Sequence, residues 1–231
     1  MSHPLGRRIP QDFSHVDKYP LSALPSNEQP KCVPVVIGVS WYTNFDTPVK
    51  DGNVYWIGRG NLKTVRGGHA VSLKPRGVTD PVPWWGYYNQ GREGACVGFA
   101  ASRMMSMLNR RRYDARWLWN EAKKIDQWPD TNPGDDNGTS VRAACDVLRD
   151  RGHRRVVSGK ARPEAVGEGI SANRWATSID EVLSALGTPN RDYVEVLNNW
   201  GKSYPHIVRL PASTLERLHR ENGEIALVVD R

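Results

Sequence analysis

The hydrophobic pattern of this 231-residue chain changes character twice along its length. The first third is rich in β-branched and aromatic residues, in short runs separated by turn signals, which is typical of strands. The middle third carries apolar residues at helical spacing. The last third mixes both patterns. The sequence therefore predicts an α+β protein in which a helical lobe lies between two parts of a sheet lobe.

Individual segments give this pattern its detail. Strands are predicted over five apolar runs, at 34–42, 53–57, 69–73, 193–197 and 225–229. Helices are predicted over 96–110, over 115–125, from Thr139 or Ser140 through Arg151, and after the capping boxes that begin at Ser178 and Ser213. The resulting organisation is an N-terminal arm (1–33), a first part of the β lobe (34–77), a helical lobe (85–165) and a second part of the β lobe (175–231).

Composition removes several classes of protein. No stretch approaches the roughly 20 apolar residues of a membrane span, and residues 1–13 lack the apolar core of a signal peptide. Three cysteines cannot build a disulfide framework. These features predict a cytoplasmic protein of a reducing compartment, without a membrane partner.

The chain is basic, with a formal net charge of +7 and a run of three arginines at 110–112. Such a patch can bind nucleic acid non-specifically. A solvated helix end is the simpler interpretation, because no nucleic-acid-binding motif is found. A nucleic-acid partner is therefore only weakly supported.

The segment 89–100, with the sequence NQGREGACVGFA, contains the strongest candidate catalytic residue. A glycine-rich turn leads into a helix whose first residue is Cys96, and the N–H groups and dipole at a helix N-terminus stabilise a thiolate. A cysteine placed there can serve as a nucleophile. A small buried cysteine that packs the helix explains the segment equally well. Gln90 lies across the turn, where its amide and the Cys96 backbone N–H could form an oxyanion hole.

Two distant segments carry candidate partners for such a nucleophile. His69 follows a Gly-Gly turn at the start of an alternating strand, where it can face a cleft and act as a base; taken alone, a surface or capped histidine is favoured. Asn198 lies at a strand end, where its amide could orient an imidazole. Trp200 beside it could exclude water from that hydrogen bond, although a turn with a packed tryptophan is the plainer interpretation.

Together these segments resemble the papain-like cysteine peptidases. GACVGFA, after Gln90, is similar to that family's Gly-Ser-Cys-Trp-Ala-Phe-Ala motif. The sequence GHAV at 68–71 resembles its histidine motif, and NNWG at 198–201 resembles its Asn-Ser-Trp-Gly motif. The run PVVIGVSWYTNF resembles the strand upstream of the histidine, and the loop ending at Asn137 and Gly138 resembles the glycine-bearing wall of the substrate cleft. The resemblance covers most of residues 34–229.

The resemblance implies a two-lobed fold, with a helical lobe and an antiparallel, β-barrel-like lobe, and a peptide or protein substrate extended in the cleft between them. Cys96 would attack the peptide carbonyl, His69 would carry the proton, Asn198 would orient His69, and Gln90 would stabilise the oxyanion. The residues expected to bind substrate are Gly94, Asn137, Gly138 and Trp200. No cofactor is implied.

The chain departs from the family in the order of its segments. The family order is Cys, His, Asn, whereas here His69 precedes Cys96 and Asn198 follows it. The block 34–77 thus stands before the helical lobe instead of after it. A triad is defined by geometry and not by order, so catalysis is compatible with this change. Val97 also replaces the tryptophan after the nucleophile, and the typical disulfides are absent, as in an intracellular or bacteriophage-type relative.

Two other interpretations stay open. A papain-like scaffold without catalysis could be kept for binding, since a fold alone does not establish activity. A caspase-like peptidase is suggested by the order His69 then Cys96, although their separation is about half that expected there, and Gln90, Asn198 and Trp200 would have no role.

The remaining histidines and cysteines predict no further site. His3, His15, His153, His206 and His219 form no pair at ligand spacing, so no metal site is expected. Cys145 lies among apolar residues of a predicted helix and is expected in the core. The state of Cys32 is left open.

Overall fold

In a computed structural model of the chain, the structure describes residues 20–25, 28–78, 87–128, 135–157 and 159–229. Most of the predicted N-terminal arm, 1–19 and 26–27, and residues 79–86, between the first part of the β lobe and the body of the helical lobe, lie outside these ranges. The described strands are β1 (Val35–Tyr42), β2 (Val49–Asp51), β3 (Val54–Trp56), β4 (Val65–Leu73), β5 (His153–Val157), β6 (Lys160–Glu168), β7 (Ala172–Trp175), β8 (Tyr193–Leu197), β9 (Ile207–Pro211) and β10 (Glu224–Val229). The described α-helices are α1 (Cys96–Asn109), α2 (Ala115–Ile125), α3 (Val141–Asp150), α4 (Ile179–Ala185) and α5 (Ala212–Arg220).

One large sheet joins the two ends of the chain. Its eight strands lie in the order β2-β3-β9-β8-β4-β1-β10-β7, and β5 and β6 form a separate hairpin. The central strands β4 and β1 come from the first third of the sequence, and their neighbours β8 and β10 come from the last. The predicted α+β class is confirmed. The predicted domain boundaries stay a prediction.

The sheet is open and not a closed barrel. Within the described part of the chain, β2 and β7 are its two edges. Its pairs are antiparallel except for β3 with β9, which run parallel. The β-barrel-like lobe that the resemblance implied is therefore, in the described residues, a mixed open sheet.

Helices cover the sheet on both faces. Alternate residues of a strand point to opposite faces, and Val36 on β1 packs with α1, α2 and α3, while Val35 and Ile37 pack with α4 and α5. Ala70 on β4 lies in the same group of buried side chains as Val36. The α1–α3 layer thus lies directly against the strand that carries His69. Among the described residues, no helix is both long and apolar enough to cross a lipid bilayer.

Several local predictions need correction. His69 lies in the middle of β4 and not at its start, because the strand begins at Val65. The helix after the second capping box begins at Ala212 with Pro211 as its N-cap, so Ser213 lies inside the first turn instead of capping it. The other predicted caps hold, since the Ser140 hydroxyl accepts from Ala143 N and that of Ser178 from Glu181 N.

Five described strands carry no clear signal in the sequence. They are β2, β5, β6, β7 and β9. These runs are short or rich in charged and polar residues, and their extended form depends on pairing with a neighbour. β9, for example, pairs with β8 at five consecutive positions. Strand preference depends on such contacts more than on the residues themselves.

Candidate active site

Cys96 is the first residue of α1 and is almost fully buried. Ala95, which precedes it, has no polar side chain to cap the helix, and the first turn carries no acidic residue. The N–H groups of this helix end therefore lie next to the thiol, in a setting that favours negative charge. The structure places the predicted nucleophile at the N-terminus of a helix.

His69 lies between two tryptophans. The Trp200 ring stacks on the imidazole with centroids 5.0 Å apart, and the Trp41 ring meets it edge-on at 4.7 Å. The histidine is only 2% exposed. Its ring orientation is therefore restricted by packing on two sides.

A hydrogen bond joins His69 to Asn198 across 129 residues of sequence. His69 Nε2 lies 2.9 Å from Asn198 Oδ1. The same oxygen accepts from the backbone N–H of Asn199 at 2.7 Å, which sets the orientation of the amide. An amide oxygen can only accept, so Nε2 carries the proton in this bond. Proton exchange with another group therefore falls to Nδ1.

His69 and Cys96 line the same cleft. Its lining comes from β1, β4, α1, β10 and the segments around α2 and α3, and it comprises Gly38, Gly68, His69, Ala70, Cys96, Val97, Trp128, Gly138, Thr139, Val141 and Glu224. The structure thus brings the predicted nucleophile and base to one surface, with Asn198 behind the base.

The turn that carries Gln90 is joined to the loop that carries Asn198. Gln90 N donates to Asn199 O at 2.9 Å, and Gly201 N donates to Tyr88 O at 3.1 Å. The Gln90 side chain is buried and its Nε2 donates to Glu93 O at 3.0 Å. This amide nitrogen carries a second N–H. Gln90 is not among the described residues that line the cleft, so its oxyanion role stays a prediction.

The predicted substrate-binding residues fall into two places. A Cβ on Gly94 would lie 2.5 Å from Asp136 O, which shows how closely this turn packs on the loop before α3. That loop is held by a bond from Trp119 Nε1 to Asn137 O, and Gly138 lines the cleft. Trp200 is 2% exposed and packs on His69 instead. Its position suits shielding of the His69–Asn198 bond rather than contact with substrate.

Three residues near the site were not singled out from the sequence. Trp41 packs on His69, and its signal was its place in the apolar run of β1. Arg103, fully buried on α1, donates from Nε to Asn199 Oδ1 at 3.1 Å. Glu224 lines the cleft at the start of β10. Burial raises the pKa of Glu224 to about 7, the Asp126 carboxylate also raises it, and Arg142 acts against them.

The other cysteines and histidines described lie outside the site. Cys145 is buried in the core, as predicted, and burial raises the pKa of its thiol, whereas Cys32 is exposed. His153 is fully buried beside Ser102, and burial lowers the pKa of its imidazole to about 3. Within the described ranges, no three metal-ligating side chains cluster. The expectation of no metal site stays a prediction.

Comparison with known proteins adds no family. No model of a protein family matches the chain, and a search of curated proteins gives no match either. The functional assignment therefore rests on the residues and geometry of the site.

Proposed function

We propose that this protein is a cysteine peptidase of the papain-like type, with Cys96 as nucleophile, His69 as proton carrier and Asn198 as the group that orients His69. The observation that carries the proposal is the 2.9 Å contact between His69 Nε2 and Asn198 Oδ1, under the rings of Trp41 and Trp200, beside a cleft that Cys96 also lines. An imidazole that is oriented by an amide next to a thiol is the arrangement that acyl transfer by cysteine requires.

The reaction would proceed in two halves. The Cys96 thiolate attacks the peptide carbonyl carbon, a C–S bond forms, and the carbonyl oxygen becomes an oxyanion that the Cys96 N–H and the Gln90 amide stabilise. His69, protonated at both nitrogens, gives its Nδ1 proton to the leaving amine as the C–N bond breaks. Water then attacks the thioester, His69 Nδ1 takes its proton, and the thiolate leaves with release of the acid.

We further propose that the two-lobed papain-like arrangement is built with its segments in a changed order. The packing of α1–α3 against a sheet that combines strands from both ends of the chain supports this proposal. A caspase-like site would give no role to Asn198 and Trp200, which both contact His69. The experiment below distinguishes the peptidase from the alternative, a catalytically silent scaffold.

Cys96→Ala tests the nucleophile. Alkylation by iodoacetamide, followed by intact mass, and hydrolysis of a quenched-fluorescent peptide library would be measured in a Cys32→Ser background, since Cys32 is exposed. We expect Cys96→Ala to lose both signals and Cys145→Ala, as the matched control, to keep them. Labelling or hydrolysis that survives in Cys96→Ala would exclude this site, and alkylation of Cys96 without any hydrolysis would favour the silent scaffold.

Asn198→Ala should lower kcat about 100-fold through misorientation of His69.

A further inference from the structure

Arg103 is a fully buried arginine on the helix that begins with Cys96. It lies seven residues after Cys96, and positions i and i+7 of a helix share one face. The two side chains therefore leave α1 on the same side, about two turns apart. A guanidinium keeps its charge in a protein, so its burial is costly unless its contacts compensate it. What Arg103 contacts is therefore informative about its role.

The acceptor of Arg103, Asn199, is a centre of hydrogen bonds to the proposed site. Its side-chain oxygen accepts from Arg103 Nε at 3.1 Å. Its backbone N–H donates at 2.7 Å to Asn198 Oδ1, the same oxygen that meets the imidazole of His69. Its carbonyl oxygen accepts from Gln90 N at 2.9 Å. One fully buried residue thus joins α1 to the groups proposed to orient the base and to stabilise the oxyanion.

Tyr88 is a second contact of Arg103. The guanidinium carbon lies 5.0 Å from the centre of the Tyr88 ring, and a cation over an aromatic ring is stabilised, the more so where water is excluded. The Tyr88 hydroxyl donates to Tyr113 O at 3.1 Å and accepts from Tyr113 N at 3.0 Å, so the ring itself is held. Arg103 is therefore restrained at both contacts and can hold Asn199 in one place.

Another hydrogen bond joins α1 directly to the sheet. Ser72 Oγ on β4 donates to Ala100 O on α1 at 2.8 Å. Apolar packing between helix and sheet is not directional, and one hydrogen bond leaves a helix able to turn about it. A second bond farther along the helix, from the rigid guanidinium of Arg103, fixes the direction of α1 as well. The two bonds together set where Cys96 lies relative to His69.

We propose that Arg103 is a positioning residue that acts through Asn199. By this bond it holds the loop of Asn198 against the helix of Cys96. The inference rests on the proposed peptidase function and adds to it a residue that lies outside all of its motifs. Without the bond, α1 and the loop would shift relative to each other, and the imidazole would no longer stabilise the thiolate. A displacement of about 1 Å is enough to slow a reaction of this kind.

The pH dependence of Cys96 alkylation by iodoacetamide tests this role. In the Cys32→Ser background, a thiolate paired with an imidazolium should react well below about pH 8.5, the ordinary pKa of a cysteine thiol. Arg103→Met keeps an unbranched side chain and removes the donors. We expect it to move the midpoint of the alkylation profile by about one pH unit toward 8.5. His69 and Glu224, the other titratable groups in the described lining of the cleft, are the same in both proteins.

Peptide hydrolysis gives a second measurement of the same bond. In Arg103→Met we expect kcat to fall about tenfold and KM to change less than about twofold, because Arg103 does not touch the substrate. Asn199→Ala removes the acceptor, keeps the backbone bonds of this residue and should have the same effect. The double variant should lose less than about twofold beyond either single variant, since both changes remove one bond.

Ser102→Ala is the matched control. Ser102 is the buried polar neighbour of Arg103 on α1, and its hydroxyl contacts Gly98 O and His153 Nε2. We expect this variant to lower the urea midpoint of unfolding and to keep the wild-type alkylation profile and kcat.

Three outcomes would count against the proposals. Folded Arg103→Met or Asn199→Ala with the wild-type profile and kcat overturns the positioning role and leaves the peptidase proposal intact. Failure of both variants to fold also overturns it, because the bond would then hold the fold and not the site. A wild-type Cys96 that titrates like an ordinary thiol overturns the peptidase proposal and this inference with it.

Discussion

At the scale of single residues, the site is built from polar side chains that are buried and held by one or two contacts each. Asn198 Oδ1 accepts hydrogen bonds from the imidazole of His69 and from a backbone N–H, so one oxygen sets the tautomer of the histidine. Glu224 is held in the cleft wall with its pKa raised to about 7, chiefly by burial. Buried polar groups of this kind tie the stability of the fold to the protonation state of the site.

Glu224 should therefore make the stability of the protein depend on pH. Its folded-state pKa, about 7, lies above the ordinary value of 4.5, so the folded state binds its proton more tightly than the unfolded state does. Binding of this proton by Glu224 stabilises the folded state. That stabilisation is fully present below about pH 4.5 and is lost as the pH rises through about 7. We expect the free energy of unfolding of Glu224→Gln, relative to wild type, to increase by about 2 kcal/mol from about pH 5 to about pH 8.

Urea denaturation of both proteins at a series of pH values measures this difference. Glu216→Gln should run parallel to wild type, since that glutamate lies on the exposed face of α5. Parallel curves for Glu224→Gln and wild type would contradict the assignment of this pH dependence to Glu224.

At the scale of elements, α1 is positioned by its close approach to α2. A Cβ on Gly98 would lie 2.6 Å from Ala115 O and 2.6 Å from Trp119 Cβ. The first turn of α1 therefore lies very close to the start of α2, two residues beyond the candidate nucleophile. This contact sets where the N-terminus of α1, and with it Cys96, lies relative to the cleft.

Gly98→Ala should reveal how rigid this contact is. Alanine favours a helix over glycine by about 1 kcal/mol, but the added methyl group meets backbone atoms that cannot turn away. We expect overpacking to prevail and the free energy of unfolding to fall by about 2 kcal/mol. Thermal denaturation measures the change, and a variant as stable as wild type, or more stable, would show that the helices can separate without cost.

At the scale of the whole molecule, neither end of the chain can complete the sheet alone. β4 lies between β8 and β1, and β1 lies between β4 and β10, so two adjacent strands from the N-terminal part are flanked on both sides by strands from the C-terminal part. His69 and Asn198 reach each other only because β4 and β8 pair there. The site and the core of the sheet are thus formed by the same long-range pairing.

Chains split between residues 77 and 87 should test this dependence. The fragment 87–231 lacks β1 and β4, and we expect it to show neither cooperative unfolding nor alkylation of Cys96 at the wild-type rate. Co-expression with 1–77 should restore both, because the missing strands return to the centre of the sheet. Circular dichroism and intact mass measure the two properties, and a fragment 87–231 that folds by itself would contradict the prediction.

Much of the secondary structure is determined by the local sequence. Strand β8 and helix α2 occur at the predicted residues, and α1 differs by one residue at its end, because their apolar spacing and caps lie within the segments themselves. The strands that escaped prediction are those whose form depends on partners, such as β7, which is short and polar and pairs with β10 at the edge of the described sheet. Both Cys96 and His69 were recognised from short motifs, whereas Glu224 and Arg103 carried no local signal.

The sequence by itself determined the α+β class, the most pronounced helices and strands, and the residues capable of the chemistry, since these depend on residue type and on spacing over a few positions. Only the tertiary structure decided that β4 pairs with both β1 and β8, that the imidazole of His69 meets the amide of Asn198, and that Glu224 faces the cleft of Cys96. These contacts join residues far apart in the chain, and burial of the sheet between its two helical layers selects them.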